Sequence, residues 1–127
     1  MTYAVSAIII ENEKILLVKK KDTWILPGGK PEPKESLLEC LCREVKEELS
    51  ETELKNLRFR GTSGGITSHT KENLFNWVYF ADINGKLNSP SEEIEAYKWI
   101  SKQDIKKYNI SDVTSRVINS LIKYNKL

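Results

Sequence analysis

One uninterrupted amphipathic segment, residues 35–50, is the feature that most constrains the fold of this chain. It contains no Gly and no Pro, and its apolar residues recur at helical spacing, at Leu38, Leu41, Val45 and Leu49. This periodicity predicts an α-helix with one apolar face. Because the flanking segments have the composition of strands, the helix is expected to pack that face against a sheet.

The segments around this helix are rich in β-branched and aromatic residues, which favours strands. Strands are predicted at 2–11, 14–20, 23–26, 54–62, 66–69, 73–83 and 95–100. Turns are predicted at Asn12-Glu13, Gly64-Gly65 and Asn84-Gly85, and Pro27-Gly28-Gly29 is expected to end the third strand.

Two more helices are predicted near the end of the chain. Ser101 is a candidate N-cap for a short helix, with Asp104 at the capping-box position. Ser111 is a candidate N-cap for a last helix, whose apolar positions are Val113, Val117, Ile118, Leu121 and Ile122. The order of strands, helix, strands and helix predicts an α/β (α+β) domain around one sheet.

Composition limits the class of protein. With 127 residues and 39% hydrophobic residues, the chain is expected to form a single domain, residues 1–127, with a sizeable core. Lys and Arg number 20 against 18 Asp and Glu, which excludes a polyanion binder that relies on bulk positive charge. The longest apolar run, residues 7–10, is far too short to span a membrane, and the first residues lack a signal-peptide pattern.

Several residues are expected to be structural. Cys40 and Cys42 are too close for an easy disulfide and too few for a zinc site, so a reduced, cytoplasmic protein is expected. On the helix, Cys42 is expected near the core edge and Cys40 toward the acidic flank. Trp77 and Trp99 are expected in the core, and His69 is expected to be exposed.

Three carboxylates crowd one flank of the predicted helix. Glu44 and Glu48 are four residues apart, and Glu47 lies beside them. Like charges at this spacing destabilise a helix by about 0.2–0.5 kcal/mol, and acidic residues late in a helix oppose its dipole. A bound Mg²⁺ or Mn²⁺ would compensate, since these cations prefer carboxylate oxygens. The alternative is a solvated acidic face, partly neutralised by Arg43 and Lys46.

The Gly28-Gly29 pair upstream favours the metal site over the solvated face. Without side chains, this backbone can approach a ligand closely and present a free carbonyl to a cation. Glu35 and Arg43 are eight residues apart, about two helical turns, so they can pair along the helix and fix its first turn.

The stretch that begins at Gly29 resembles the signature of the Nudix hydrolases. That signature is Gly, five residues, Glu, seven residues, then Arg-Glu-apolar-any-Glu-Glu-any-Gly-apolar. Gly29, Glu35 and the run 43–48, Arg-Glu-Val-Lys-Glu-Glu, stand at the matching positions. Ser50 replaces the usual Gly and Glu51 the usual apolar residue, which puts the loop after the helix in doubt. The resemblance implies an α/β/α sandwich with a central mixed sheet.

The resemblance also implies a set of roles. The metal, Mg²⁺ or alternatively Mn²⁺, would be held by Glu44, Glu47, Glu48 and the carbonyl of Gly28. Arg43 would orient these carboxylates and act with Glu44 and Glu47 in catalysis. Glu35 and Gly29 would not bind the metal but would help to position the residues that do, Glu35 by holding Arg43. The general base, or a further metal ligand, would be Glu44 or Glu47, or one of the loop residues Glu92, Glu93 and Glu95.

The implied reaction is metal-dependent hydrolysis of a nucleoside diphosphate linked to another group. Segment 24–30 resembles MutT-like nucleoside triphosphate pyrophosphohydrolases, and the markers of other subfamilies are missing, which favours release of a nucleoside monophosphate and pyrophosphate. The alternatives are a nucleotide sugar, a dinucleotide or a non-nucleotide diphosphate as substrate, or a module that binds nucleotide without cleaving it. The substrate is a small molecule, with neither nucleic acid nor membrane expected as a partner, and the oligomeric state is left open.

The candidate substrate contacts come from three parts of the chain. They are Tyr3, Ser6, Trp24, Lys30, Asn109 and Asp112. For Asn109 and Asp112 the alternative is a helix cap or turn, and for Trp24 it is core packing. A lysine, either Lys30 or one of residues 19–21, is expected to reach a phosphate.

Overall fold

The computed structural model of this chain describes residues 2–66, 72–88 and 90–127. In chain order its elements are β1 (Thr2–Ile8), β2 (Ile10–Glu11), β3 (Lys14–Lys20), β4 (Thr23–Ile25), β5 (Gly28–Gly29), α1 (Leu37–Glu48), β6 (Thr52–Ile66), β7 (Asn73–Gly85), β8 (Ala96–Ser101), a 3₁₀ helix (Lys102–Lys107) and α2 (Asp112–Lys123). His69 and most of the strand predicted at 66–69 lie outside the described residues.

The main sheet has the strand order β5-β1-β7-β6. β1 and β7 run parallel, with Val5 opposite Trp77, whereas the other pairs are antiparallel. A second group of strands forms around β3, which pairs with β2, β4 and β8. The predicted mixed sheet is therefore confirmed.

Two apolar clusters cover the two faces of the main sheet. On one face, Val5 and Ala7 pack with residues of α1, namely Leu41, Val45 and Leu49. On the other face, Ile8 and Val78 pack with residues of α2, namely Val117, Ile118 and Leu121. Successive side chains of a strand point to opposite faces, so the helices lie on opposite sides of the sheet. This is the predicted α/β/α arrangement, and none of the described helices is long and apolar enough to cross a membrane.

Helix α1 is shorter than the predicted segment 35–50. It begins after Ser36, whose hydroxyl accepts a hydrogen bond from the Glu39 amide while the Glu39 carboxylate accepts one from the Ser36 amide. This capping box, which the sequence analysis missed, fixes the start of the helix. The helix ends at Glu48, and the positive φ of 67° that follows falls on Glu51 rather than on Ser50, where the Nudix signature has its Gly.

The buried face of α1 is rotated from the predicted one, toward the acidic flank. Leu38 was expected in the core but is 43% exposed. Cys40 is buried and Cys42 is exposed, the reverse of the expectation. The face that packs against the protein contains Glu48, which is only 1% exposed, together with Leu41. Helical periodicity located the apolar stripe but not its rotation against the sheet.

Of the two predicted glycine turns, 64–65 lies inside β6 and 84–85 forms the end of β7. β6 continues through Gly65. A Cβ there would lie 2.6 Å from the Cγ2 of Val113, so the glycine lets α2 approach the sheet. Gly85 ends β7 with a φ of 97°.

Other boundaries also differ from the predictions. Strand 2–11 is divided at Ile9, and Gly28–Gly29 forms a strand of its own instead of only ending one. The helix after Ser101 is a 3₁₀ helix, and the Ser101 hydroxyl bonds the Asp104 carboxylate instead of capping the backbone. Trp77 and Trp99 are half-buried against the core, whereas the Ser111 cap of α2 is present as predicted.

Candidate active site

Two glycines bring the backbone of β5 against β1 and α1. Gly28 has a φ of 147°, and a Cβ there would lie 2.1 Å from the carbonyl oxygen of Val5. A Cβ at Gly29 would lie 2.3 Å from Cδ of Glu44. Only glycine allows this approach without displacing the partner strand or the carboxylate.

Glu48 lies buried beneath this glycine strand. Its Oε1 accepts a 3.0 Å hydrogen bond from the Gly28 amide, and its Oε2 forms an ion pair with Lys20. Oε2 accepts no hydrogen bond of regular geometry from the described residues. Burial raises the pKa of Glu48 to about 7, although Lys20 and the Gly28 amide oppose the rise. Burial therefore disfavours the charged form of this carboxylate despite its two partners.

Arg43 connects the carboxylates around it. Its Nε and Nη2 donate to the two oxygens of Glu35 at 2.7 and 2.9 Å, the pairing expected from their spacing. Its Nη1 donates to Glu44 at 3.0 Å and to Glu47 at 3.3 Å. Glu35 in turn has its pKa lowered to about 2, chiefly by Arg43, so this pair stays charged across the ordinary pH range. The bidentate geometry holds the guanidinium in one orientation.

The carboxylates of Glu44, Glu47 and Glu48 are positioned by cationic side chains. Arg43 holds the first two and Lys20 the third. In the part of the chain that the structure describes, no three acidic, His or Cys side chains converge at metal-binding spacing. The donor set is nevertheless all carboxylate oxygen, which suits a hard divalent cation, and the incompletely satisfied Oε2 of Glu48 belongs to it.

The loop before β8 lies beside the C-terminal end of α1. Ser91 donates a 3.0 Å hydrogen bond to the carbonyl oxygen of Glu48. Glu95 accepts from the Asp22 amide and lies 3.9 Å from the Lys19 ammonium on β3. Glu92 and Glu93, also predicted candidates for the base, are exposed. Glu95 is exposed as well, and what distinguishes it is its contacts with Asp22 and Lys19.

A cavity of about 480 Å³ opens between the glycine strand, the sheet and α2. One part of its lining carries charges, on Lys20, Lys21, Lys30 and Glu44, beside Gly28 and Gly29. The remainder is uncharged, with five apolar residues, Ala4, Ile25, Leu26, Leu74 and Val113, and five that carry a hydroxyl or amide group, Ser6, Thr23, Asn76, Ser111 and Thr114. This combination suits a ligand that has an anionic end and a flat or apolar end.

Two of the six predicted substrate contacts, Ser6 and Lys30, line this cavity, and four do not. Tyr3 is 53% exposed beside Phe75, and its position in β1 places it on the face opposite Ser6. Trp24 packs edge-on against Tyr108, with ring centroids 5.6 Å apart, in the α2 cluster.

The remaining two, Asn109 and Asp112, make hydrogen bonds outside the cavity. The Asn109 amide donates to the Asp22 carbonyl at 3.1 Å. Asp112 accepts from Arg116 one turn along α2. Neither contact is a cap or a turn, because the first joins segments 87 residues apart and the second is a side-chain pair within α2, whose N-cap is Ser111.

Three cavity residues were not singled out individually from the sequence. Lys20 was only one of three lysines considered together. Asn76 is 3% exposed and hydrogen-bonded to Ser6, and Thr114 accepts a hydrogen bond from the Leu26 amide. The signal for Asn76 was present as one amide inside the apolar strand segment 74–80.

Comparison with known proteins assigns the family. The family model of the NUDIX domain matches residues 1–121. An 8-oxo-dGTP diphosphatase of Buchnera aphidicola subsp. Schizaphis graminum is 34% identical over 128 residues, which cover 96% of this chain and 94% of that protein. The nucleoside triphosphatase NudI of Escherichia coli O6:K15:H31 is 31% identical over 110 residues, which cover 75% of this chain and 73% of that protein.

The fold agrees with this assignment. The crystal structure of a MutT NUDIX hydrolase from Burkholderia pseudomallei matches with a TM-score of 0.78 at 26% identity, covering 93% of this chain and 95% of that one. The family model matches nearly the whole chain, and the Buchnera relative aligns over nearly the full length of both proteins. The chain therefore belongs to the Nudix family, the hydrolases of diphosphate bonds.

Proposed function

We propose that this chain is a Mg²⁺-dependent, MutT-like nucleoside triphosphate pyrophosphohydrolase that releases a nucleoside monophosphate and pyrophosphate. The observation that carries the proposal is the cavity lining, which combines three lysines and Glu44 with the glycine strand and ten uncharged residues. A triphosphate suits the charged residues, and a nucleoside suits the uncharged ones. A small molecule, rather than a nucleic acid, is the substrate of the proposal.

The metal of the proposal is held by the carboxylates of α1. Nudix hydrolases generally use divalent metal ions. Glu44, Glu47, Glu48 and the carbonyl of Gly28 are the proposed ligands, and Mn²⁺ is the proposed substitute for Mg²⁺. When bound, such a cation neutralises diphosphate charge and acidifies the attacking water.

The chain's own side chains supply the remaining functions of the proposal. Lys20, Lys21 and Lys30 line the cavity and bind phosphate oxygens. Arg43, held by Glu35, orients the carboxylates of Glu44 and Glu47. Outer groups of this kind typically change metal affinity or activity by about 10–100-fold when removed.

A carboxylate must also accept the proton of the attacking water. Glu44 and Glu47 are the proposed acceptors on α1, and Glu95 is the proposed acceptor from the loop because it is anchored beside β3. Glu92 and Glu93 are weaker candidates, since their side chains have no such anchoring contact with the described residues.

The names of the relatives support the substrate class. They include an 8-oxo-dGTP diphosphatase and a nucleoside triphosphatase, which act on nucleoside triphosphates by name. Nucleotide sugars, dinucleotides, non-nucleotide diphosphates and binding without cleavage remain the alternatives that the experiment separates. A cytoplasmic location stays a prediction.

The test is a panel of nucleoside triphosphates, oxidised triphosphates, ADP-ribose and dinucleoside polyphosphates, with and without Mg²⁺. Products are separated so that pyrophosphate release is distinguished from phosphate release. Metal-dependent pyrophosphate release from a triphosphate supports the proposal, whereas turnover of ADP-ribose or a dinucleotide alone contradicts its substrate class. No turnover of any compound by folded protein supports a non-nucleotide diphosphate substrate or the binding module instead.

A variant series tests the metal assignment. Glu47→Gln and Glu48→Gln are expected to lower the rate at least about 100-fold with the fold intact. Glu53→Gln, at an exposed position on β6, is the matched control and is expected to be active. Near-native rates in both α1 variants would show that these carboxylates do not hold the metal.

A further inference from the structure

Asn76 is a buried amide on the sheet face that lines the cavity. It is 3% exposed, and its neighbours on the same face of β7, Leu74 and Val78, are both apolar. Ala4 of β1 stands opposite it in register, and Ser6 follows on the same face. A polar side chain at so apolar a position requires hydrogen-bond partners.

The structure gives Asn76 only part of its hydrogen bonding. Its Oδ1 accepts a 2.9 Å hydrogen bond from the Ser6 hydroxyl. Within the described residues its Nδ2 has no hydrogen-bond partner, although an amide NH₂ carries two donors. Because Ser6 occupies the oxygen, the NH₂ group is the part of the amide that is free to meet a ligand in the cavity. Since Asn76 lines the cavity, a ligand that brings an acceptor can bond this NH₂ group.

The sheet also fixes how far Asn76 lies from the charged part of the cavity. Gly28 and Gly29 on β5 pair with β1, and β1 pairs with β7 at Asn76. Two strand spacings separate β5 from β7, which is about 10 Å. This separation suits a nucleotide whose phosphates lie at the glycine strand and whose base reaches β7.

We propose that the Asn76 amide donates a hydrogen bond to an oxo group on the base of the substrate, and that Ser6 positions the amide for it. The inference rests on the proposed nucleotide substrate and names its class. The class consists of bases that carry an oxo group at the position where adenine or cytosine carries an amino group. The amino group of adenine or cytosine would place its N–H donors against the N–H donors of Asn76, and neither group would have an acceptor. Asn76 is therefore a specificity residue, and Ser6 is a positioning residue.

The test uses substrate pairs that share sugar and phosphates. ITP and ATP differ between an oxo and an amino group at position 6 of the purine, and UTP and CTP differ likewise at position 4 of the pyrimidine. The wild type is expected to favour ITP over ATP, and UTP over CTP, by about ten- to hundredfold in kcat/KM. Asn76→Leu, which keeps the volume and removes the donor, is expected to bring both ratios close to one.

Three variants sharpen the test. Asn76→Asp replaces the donor by an acceptor of nearly the same shape, and is expected to favour ATP and CTP. Ser6→Ala frees the amide to rotate, and is expected to narrow the ratios while ITP turnover is retained. Asn84→Leu makes the Leu substitution at an exposed asparagine of the same strand, outside the cavity, and is expected to keep the wild-type ratios. Circular dichroism confirms that each variant is folded.

Equilibrium binding of IMP and AMP separates failure of this inference from failure of the proposed function. A preference for IMP that Asn76→Leu abolishes supports base recognition even if no triphosphate is cleaved. Cleavage of all four triphosphates at similar rates overturns the inference and leaves the proposed function standing. A preference for ATP and CTP that Asn76→Leu abolishes also overturns it, because the amide would then present its oxygen to the base.

Discussion

Glu48→Gln is expected to stabilise the metal-free protein at neutral and alkaline pH while it lowers activity. The Glu48 carboxylate is 1% exposed, and burial raises its pKa from the ordinary 4.5 to about 7. A raised pKa means that the folded state favours the protonated form. The contribution of protonated Glu48 to the free energy of unfolding is therefore complete below about pH 4.5 and is lost as the pH rises through 7.

The size of the effect follows from the shift. Each pKa unit corresponds to about 1.4 kcal/mol, so ionised Glu48 lowers the free energy of unfolding by about 3 kcal/mol relative to the protonated form. Glutamine resembles that protonated form in shape and charge. It also releases Lys20, whose side chain is 30% exposed and can reach solvent. The difference between wild type and variant is expected to approach about 3 kcal/mol at pH 8.5 and to vanish near pH 4.5.

Urea unfolding in EDTA between pH 4.5 and 8.5 measures this difference. Wild type is expected to lose stability with rising pH relative to Glu48→Gln, whereas the exposed-site variant Glu53→Gln is expected to follow wild type. Addition of Mg²⁺ is expected to stabilise wild type and to have little effect on Glu48→Gln, because a ligand stabilises the state that binds it. A constant difference across the pH range would refute the buried, pKa-shifted carboxylate, and equal stabilisation by Mg²⁺ would refute its role in holding the cation.

Three further substitutions test other parts of the site. Arg43→Lys removes the bidentate contact to Glu35 and is expected to lower kcat/KM about 10–100-fold, so a wild-type rate would contradict the positioning role. Gly28→Ala places a Cβ 2.1 Å from the Val5 carbonyl oxygen and is expected to lower the free energy of unfolding by about 2–3 kcal/mol in urea denaturation; unchanged stability would mean that β5 can move away. Glu51→Gly removes the side chain from a residue with a φ of 67° and is expected to raise the free energy of unfolding by about 1 kcal/mol, whereas Ser50→Gly is expected to give no gain. A gain for Ser50→Gly and none for Glu51→Gly would show that the left-handed residue is Ser50.

The charged residues of the site were predictable because their spacing is local. Glu35 and Arg43 lie two turns apart on or next to one helix, and Glu44, Glu47 and Glu48 share its flank, so helical periodicity alone brings them together. The mixed sheet with a helix on each face also followed, from the resemblance to the Nudix family, whereas the order of the strands in the sheet was not predicted.

Features that depend on contacts between distant segments were not predictable. The rotation of α1 depends on how Gly29 admits the Glu44 side chain and how Glu48 reaches the Gly28 amide, and neither contact leaves a periodic pattern. Gly65 has the composition of a turn but lies in a strand because Val113 of α2 needs the space above it. Trp24 and Asn109 stand near the predicted substrate site in sequence, yet their partners, Tyr108 and Asp22, make them structural.

The rotation of α1 also explains why the two halves of the acidic flank differ. Glu47 keeps a side chain that is 45% exposed and has Arg43 as its partner, so its charge is readily accommodated without a metal. Glu48 is enclosed, with one oxygen on the Gly28 amide and the other on Lys20, and its desolvation outweighs these contacts. A helix selected for stability alone would place an apolar residue at this position, as it does at Val45. A carboxylate there opposes folding unless a cation or a proton neutralises it, and this opposition links the stability of the fold to occupancy of the site.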